Sequence, residues 1–231
     1  MTSLTAALPA ATDRLLATAR SLSEADWAAP SLCAGWSRSH VLAHLALNAE
    51  GLAGVLRGIR DGRPTTMYAS DEARDGDIDA LAAEAPAVVL DRLVAGCAAL
   101  ADVAAVADGL APGTTFERTP GGRSMPADAV PSLRLREVEI HHADLDAGYG
   151  PADWPRPTAV AFLGDDARRY EGPGFHVTAT DEPARWAFGS PAADAPTVSG
   201  PVGALAWWAS GRQPSADVAS STGTLPSLEG R

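Results

Sequence analysis

The 231-residue sequence contains no lysine, so all 18 of its basic side chains are arginines. Without lysine, the chain cannot form a lysine Schiff base, anchor pyridoxal phosphate or supply a P-loop lysine. Its two cysteines, Cys33 and Cys97, are too far apart for a Cys-x-x-Cys motif, and a chain of this length does not need disulfides to hold a core. These absences exclude several enzyme classes and indicate a reducing compartment.

Long apolar runs are also missing. No run approaches the roughly 20 residues needed to cross a bilayer. Asp13 and Arg14 interrupt the first apolar stretch, and no basic n-region of a signal peptide precedes it. We therefore expect a cytoplasmic protein with no membrane partner.

Acidic residues outnumber basic ones, 29 against 18, which gives a net charge of −11. A field of this sign repels nucleic-acid phosphates and anionic lipids. Hydrophobic residues make up 46% of the chain and charged residues 20%, as in ordinary globular proteins. We expect a monomer or small homo-oligomer that binds small molecules and no nucleic acid.

Apolar residues recur at helical spacing in four segments of the first 148 residues. The predicted helices are residues 4–22, 37–60, 86–103 and 127–147. An acidic connection at 70–79 is expected to be partly helical, and the Gly- and Pro-rich segment 109–126 to hold a short hairpin or a loop. Four helices with short to medium connections predict an up-and-down bundle, whose core is a usual place for a metal site.

A Gly- and Pro-rich stretch at 148–157 is typical of a linker between domains. It predicts a metal-binding helical bundle at 1–150 and a small α+β domain at 151–231, in an α+β protein. Helices are expected at 158–170 and 202–210, and extended segments at 175–180, 185–188 and 196–199. The tail 215–231, rich in Ser, Thr and Gly, is expected to lie over a surface.

The few histidines are placed where metal ligands could be. Glu137 and His141 are four residues apart, so on a helix they lie about 6 Å apart along the axis and share a face. A single pair of this kind is more often a solvated ion pair. His44, however, lies in an apolar helix, with His40 four residues before it, and a buried imidazole needs a partner. Two bundle helices that each present such a face can form a three-ligand site with an open position, as catalytic zinc requires.

We predict His44, Glu137 and His141 as the ligands. His40, near the start of its helix, is the first substitute and a candidate substrate contact. Asp144, three residues after His141, can orient an imidazole, although a surface charge explains it equally well. Helical rotation turns Glu139 and His142 to other faces. Spacing alone does not distinguish zinc from nickel, iron or cobalt.

Several sequence blocks resemble the mycothiol-dependent maleylpyruvate isomerases, whose N-terminal half is a DinB-like helical bundle. The wider superfamily is indicated by two blocks, residues 35–44 and 136–145. More specific likeness lies in the Met-Tyr block 66–74 and in C-terminal blocks at 198–200, 210–212 and 220–223. The resemblance spans nearly the whole chain, and the C-terminal part is similar to the family's small sterol-carrier-like domain.

This resemblance implies one zinc ion on His44, Glu137 and His141, a catalytic arginine at Arg212, and mycothiol as thiol cosubstrate. It also implies the substrate, maleylpyruvate from gentisate breakdown, which is isomerised from cis to trans. Zinc deprotonates a bound thiol, so the thiolate could add to the double bond and leave again after rotation to fumarylpyruvate. Neither cysteine of the chain is needed, and we expect Cys33 to pack as a small hydrophobic residue.

The substrate is a dicarboxylate dianion, so cations near the site must overcome the acidic charge of the protein. Arg212 is the first candidate to bind a carboxylate or the developing enolate. Arg74 is a weaker candidate, and Tyr68 could bind substrate or thiol by a hydrogen bond. The alternative interpretation of Arg212 is a cation that complements a helix C-terminus, and both roles are compatible.

Two other functions fit the same sequence. A mycothiol S-transferase would use the same activated thiolate but release the conjugate. A non-enzymatic ligand-binding protein would carry an apolar molecule in its small C-terminal domain and would hold no stoichiometric metal.

Overall fold

The computed structural model describes residues 4–228, and for residues 4 and 5 it describes the backbone alone. The predicted α+β fold is confirmed, with helices and small sheets distributed over two units, Met1–Gly148 and Tyr149–Arg231. Within the described residues, no helix is both long and apolar enough to cross a membrane.

Helices dominate the first unit. Its elements are α1 Leu8–Ser21, α2 Glu24–Ala28, α3 Arg38–Arg60, α4 Asp71–Ala82, α5 Pro86–Ala101, β1 Thr115–Glu117, β2 Ser124–Pro126 and α6 Val130–Asp144. The four long helices form a closed ring of neighbours, in which α1 contacts α5 and α6, and α3 contacts the same two helices from the other side. This arrangement is the predicted four-helix bundle.

Helix α3 is the central element of this unit, and most of its side chains are buried. It begins where Ser37 caps it, because the Ser37 side chain accepts from the backbone N–H of His40 and the His40 ring accepts from that of Ser37. On α5, a Cβ at Gly96 would lie 3.0 Å from the backbone oxygen of Ala46. The missing side chain therefore lets α5 lie close against α3.

Some helix boundaries differ from the prediction. The first predicted helix is split into a 3-10 turn, Leu4–Ala7, and α1, which has a proline in its first turn. The acidic connection forms a complete helix, α4, capped by the Ser70 side chain. Because only Ile78 and Leu81 of α4 are buried, its apolar stripe was too sparse to predict the full helix.

A short hairpin holds the loop that follows α3. Strands β1 and β2 pair antiparallel, with Phe116 opposite Met125, and Phe116 packs into a core that includes Leu56 of α3. Backbone N–H groups of Met67 and Tyr68 donate to the hairpin at 3.3 and 3.0 Å. The Met-Tyr segment is thereby fixed to the bundle.

The second unit combines two helices with one mixed sheet. Its elements are α7 Arg156–Arg169, β3 Phe175–Ala179, β4 Arg185–Phe188, β5 Thr197–Gly200, α8 Val202–Ala209 and β6 Ala219–Ser220. The strand order is β4-β3-β5-β6, with β3 and β5 parallel and the other pairs antiparallel. Part of the predicted surface tail is thus an edge strand, and its last three residues lie outside the described residues.

Candidate metal centre

Two neighbouring helices of the bundle bring the predicted ligands together. His44 lies two turns into α3, while Glu137 and His141 lie one turn apart on α6. His44 Nε2 is 2.8 Å from Glu137 Oε2, and His141 Nε2 is 3.4 Å from the same oxygen. The ligand atoms of all three residues lie within 4.8 Å of one another. We call this group the three-residue cluster.

The donor set of the three-residue cluster fits a catalytic metal ion. Two imidazoles and one carboxylate are the ligands of many mononuclear zinc sites, which keep a further position for water or substrate. The Glu137 side chain is 35% exposed, whereas that of His44 is 6% exposed. The cluster therefore combines a buried His44 with a half-buried His141, and it is reached from the carboxylate side.

Protonation couples the three groups. Partial burial tends to raise the pKa of Glu137, but hydrogen bonds with His141 and His44 hold that pKa well below its usual range. Burial lowers the pKa of His44, and contact with Glu137 offsets this only in part. His141 behaves in the opposite way, because its bonds to Asp144, Cys33 and Glu137 outweigh burial and raise its pKa well above the usual value.

Asp144 contacts the ring nitrogen of His141 that faces away from Glu137. Its Oδ2 lies 2.8 Å from His141 Nδ1, and its side chain is almost fully buried. A carboxylate in this place fixes the imidazole with Nδ1 protonated and Nε2 turned toward the other two residues. The structure thus places Asp144 where the predicted orienting role requires it.

Cys33, which was expected to pack as a small hydrophobic residue, lies beside the same histidine. Its sulfur is 3.9 Å from His141 Nδ1, and it is half-buried. Cys33, His141 and Asp144 form a second group with metal-binding residue types and spacing. That group uses the ring nitrogen that already contacts Asp144, so we take the three-residue cluster as the principal candidate.

Arg74 contacts the cluster through His44. Its Nη2 lies 3.3 Å from His44 Nδ1, and because a guanidinium can only donate, Nδ1 must accept and Nε2 must carry the proton. If a metal ion were held on Nε2, the neutral ring would carry its proton on Nδ1 and Arg74 could no longer donate to it. Arg74 Nη1 also lies 2.6 Å from Asp75 Oδ1, so Nη2 would be the nitrogen that can donate to an anionic ligand.

Tyr68 lies next to Arg74 and between two arginines. The guanidinium carbons of Arg74 and Arg118 lie 5.9 and 5.4 Å from the centre of its ring. Burial raises the pKa of Tyr68, as does the nearby charge of Glu137, while Arg74 and Asn48 lower it. The Met-Tyr segment therefore contributes both a phenol and a cation to the surroundings of the cluster.

His40 is outside the three-residue cluster. Its Nδ1 accepts from the backbone of Ser37 at 3.3 Å, and its ring stacks on Trp36 with centroids 6.3 Å apart. The ring of Trp36 is also 5.7 Å from that of His44. His40 thus caps α3, and Trp36 covers both histidines.

Glu139 and His142 face α1, as helical spacing predicted. Glu139 accepts a 2.8 Å hydrogen bond from Arg14, and His142 Nε2 lies 2.8 Å from the hydroxyl of Thr18. Neither side chain belongs to the three-residue cluster.

Arg212 lies in the second unit, just after α8. Its Nη1 donates to the backbone oxygen of Ser210 at 3.2 Å, and its guanidinium lies 5.8 Å from the ring centre of Trp207. Its role in a reaction remains a prediction.

Sequence reasoning did not assign Trp36 to the cluster, and it did not predict that Arg118 lies beside Tyr68. Trp36 adjoins the Ser37 cap, which could have indicated it. The place of Arg118 depends on the path of the hairpin, which no local pattern records.

Comparisons with known proteins identify the family of this chain. Residues 8–146 match the family model described as the mycothiol maleylpyruvate isomerase N-terminal domain. Two crystal structures, of the mycothiol-dependent maleylpyruvate isomerase and of a histidine-to-alanine mutant, each superpose with a TM-score of 0.83 at 26% identity. Both alignments cover 96% of this chain and 93% of the other. A comparison with curated protein sequences finds no match. Since the matched domain is more than half of the chain, the chain belongs to the family of mycothiol-dependent maleylpyruvate isomerases.

Proposed function

We propose that the protein catalyses the mycothiol-dependent isomerisation of maleylpyruvate to fumarylpyruvate, in the cytoplasmic breakdown of gentisate. The observation that carries this proposal is the convergence of His44, Glu137 and His141 from two helices in a chain of this family. Such a cluster suits an enzyme that activates a thiol, because a thiol is mostly protonated at neutral pH.

We assign His44, Glu137 and His141 to one zinc ion. Bound there, zinc would supply the Lewis acidity that keeps a thiol sulfur deprotonated. Asp144 holds the imidazole of His141 in the required tautomer, and Trp36 restricts the ring of His44. The exposed side of Glu137 leaves room for the cosubstrate to approach.

In the reaction, the thiolate forms a carbon–sulfur bond at one carbon of the cis double bond, and the π electrons move into the adjacent carbonyl as an enolate. The former double bond is now single and can rotate. When the enolate returns its electrons, the carbon–sulfur bond breaks, the trans double bond forms and the thiolate is regenerated. No atom is gained or lost, as an isomerisation requires.

The residues of the chain have two tasks in this scheme. They must attract a dianion to a protein of net charge −11, and they must stabilise the enolate. Arg74 is the cation next to His44, and the phenol of Tyr68 lies beside it, so we assign this pair to one carboxylate or to the enolate oxygen. We assign the same chemistry to Arg212, on the strength of the family resemblance.

The test is an assay of zinc-loaded protein with mycothiol and maleylpyruvate. We expect the absorbance of the cis substrate to disappear while the free thiol concentration returns to its starting value. Consumption of one thiol per substrate would indicate an S-transferase instead. If no thiol-dependent reaction occurs and the purified protein holds no metal, the ligand-binding alternative replaces the proposed function.

A further inference from the structure

A groove runs along α3 away from the three-residue cluster. It has a volume of about 340 Å³, and α3 forms its floor through Leu47, Glu50, Gly51 and Gly54. The loop at 65–69, together with residues of α4 and α5, forms its walls. We call this cavity the α3 groove.

The α3 groove begins next to the cluster. Arg74, which lines it, is 3.3 Å from His44 Nδ1. Gly51 and Gly54 are seven and ten residues after His44, so they lie about 10 and 15 Å along the axis, with Gly51 on nearly the same helix face and Gly54 turned about 80° from it. A molecule with one end at the cluster can therefore extend along the groove.

Two glycines give the groove its shape. A Cβ at Gly51 would lie 3.1 Å from the backbone oxygen of Met67, so this glycine lets the wall approach the floor. A Cβ at Gly54 would meet no atom within 4 Å. Gly54 therefore faces open space that a side chain would fill.

The charges of the groove balance each other. Glu50 and Arg92 form a two-bond ion pair at 2.8 and 2.9 Å, and Asp77 and Arg74 add one charge of each sign. Carboxylates accept from hydroxyl groups and guanidinium groups donate to them. A lining with equal numbers of positive and negative charges, two of which form an ion pair, therefore suits an uncharged ligand rich in hydroxyl groups better than an ion.

We infer that the α3 groove binds the uncharged, polyhydroxylated body of the thiol cosubstrate while its sulfur lies at the three-residue cluster. This inference rests on the proposed function, since mycothiol carries its thiol on two hydroxyl-rich rings. It assigns thiol specificity to residues on α3, α4 and α5.

The test uses Gly54→Leu, which fills the groove from its floor. Helical glycine is unfavourable, so the variant should fold. Gly76→Leu is the matched control, because Gly76 is also a helical glycine with no atom within 4 Å of a Cβ, and it does not line the groove. Binding of S-methyl mycothiol to both variants and to the unchanged protein is measured by calorimetry, together with isomerisation kinetics.

We expect Gly54→Leu to weaken S-methyl mycothiol binding and to raise the KM for mycothiol, each by about ten-fold or more, which corresponds to at least 1.4 kcal/mol. The KM for maleylpyruvate and the zinc content should stay unchanged, and Gly76→Leu should behave like the unchanged protein. Equal binding by Gly54→Leu and the unchanged protein would overturn the inference, as would equal losses in both variants. If the unchanged protein binds S-methyl mycothiol but isomerises nothing, the proposed function fails while the groove assignment stands.

Discussion

Helix α6 presents a glutamate and a histidine on each of two faces. On the face toward α3, Glu137 and His141 meet a second histidine, His44. On the face toward α1, Glu139 pairs with Arg14 and His142 lies against Thr18. The residue types are the same, but only the first face brings three metal-binding groups together.

The difference lies in what each glutamate contacts. The carboxylate of Glu139 is already neutralised by the guanidinium of Arg14, so this face joins α6 to α1 by an ion pair. Among the described residues, Glu137 instead makes its ion-pair contacts with His44 and His141, two imidazoles that can themselves be ligands. An arginine is present on both faces, but Arg74 contacts the histidine and leaves the carboxylate accessible. The partners of a Glu/His pair, rather than its spacing, thus decide between a metal site and a structural contact.

The largest expected difference between the faces is in metal affinity. Glu137→Gln should lower zinc affinity by more than the roughly 100-fold that loss of an outer-sphere group costs, because it removes a ligand charge. Glu139→Gln should keep one zinc per chain and instead lose about 1–3 kcal/mol of unfolding free energy, since a buried charged hydrogen bond is weakened. Zinc titration and chemical denaturation of both variants measure this. Loss of zinc in Glu139→Gln would contradict the claim that only the face toward α3 binds metal.

The arginine near the first face should affect turnover rather than metal binding. Arg74→Leu should lower kcat/KM for maleylpyruvate by about 100-fold, as expected for loss of a charged donor to the developing anion. Zinc affinity should be unchanged or higher, because a cation beside His44 is removed. Arg118→Leu, which also removes a guanidinium near the Tyr68 ring, is the control and should keep most activity. Steady-state kinetics with mycothiol saturating will distinguish the two, and equal losses would contradict the role of Arg74.

Asp144 should have a smaller effect that acts through His141. Asp144→Asn is expected to reduce zinc affinity by about 10–100-fold, because the imidazole loses its charged partner. Cys33→Ser should leave the affinity nearly unchanged, since its sulfur is not in the three-residue cluster. If Cys33→Ser loses zinc while Glu137→Gln retains it, the second group, Cys33, His141 and Asp144, is the metal site.

The sequence was sufficient for the helix faces and insufficient for the loops. Apolar spacing located the four long helices, and the positions of Glu137 and His141 on one face follow from helix geometry alone. The contact of Arg74 with His44 depends on how the hairpin holds the Met-Tyr segment, and the place of Cys33 depends on a loop before α3. Such contacts join residues far apart in the chain, so only the packed structure reveals them.

The smallest predicted effect is on the pH dependence of the unfolding free energy of the metal-free protein. Because the pKa of His141 is raised in the folded state, its protonated ring stabilises the fold at pH values below the ordinary histidine pKa. This stabilisation is lost as the pH rises through the raised pKa. Because the pKa of Glu137 is lowered in the folded state, its ionised carboxylate stabilises the fold at pH values above the ordinary glutamate pKa. This stabilisation is lost as the pH falls through the lowered pKa. We therefore expect the unfolding free energy with chelator to decline by on the order of 1 kcal/mol on the alkaline side.

For zinc-loaded protein, the unfolding free energy should rise over the same alkaline range, because protons compete with the metal ion for its ligands. Denaturation curves across this range, with His141→Gln as the variant that lacks the alkaline decline, measure the effect. A decline of equal size in His141→Gln would show that another group causes it.

X-ray absorption at the zinc edge tests the central claim most directly. For zinc-loaded protein, we predict two imidazole nitrogens and one carboxylate oxygen at about 2.0–2.2 Å and no sulfur, and after mycothiol is added one sulfur at about 2.3 Å. A sulfur ligand before the thiol is added, or a spectrum that mycothiol leaves unchanged, would contradict the account.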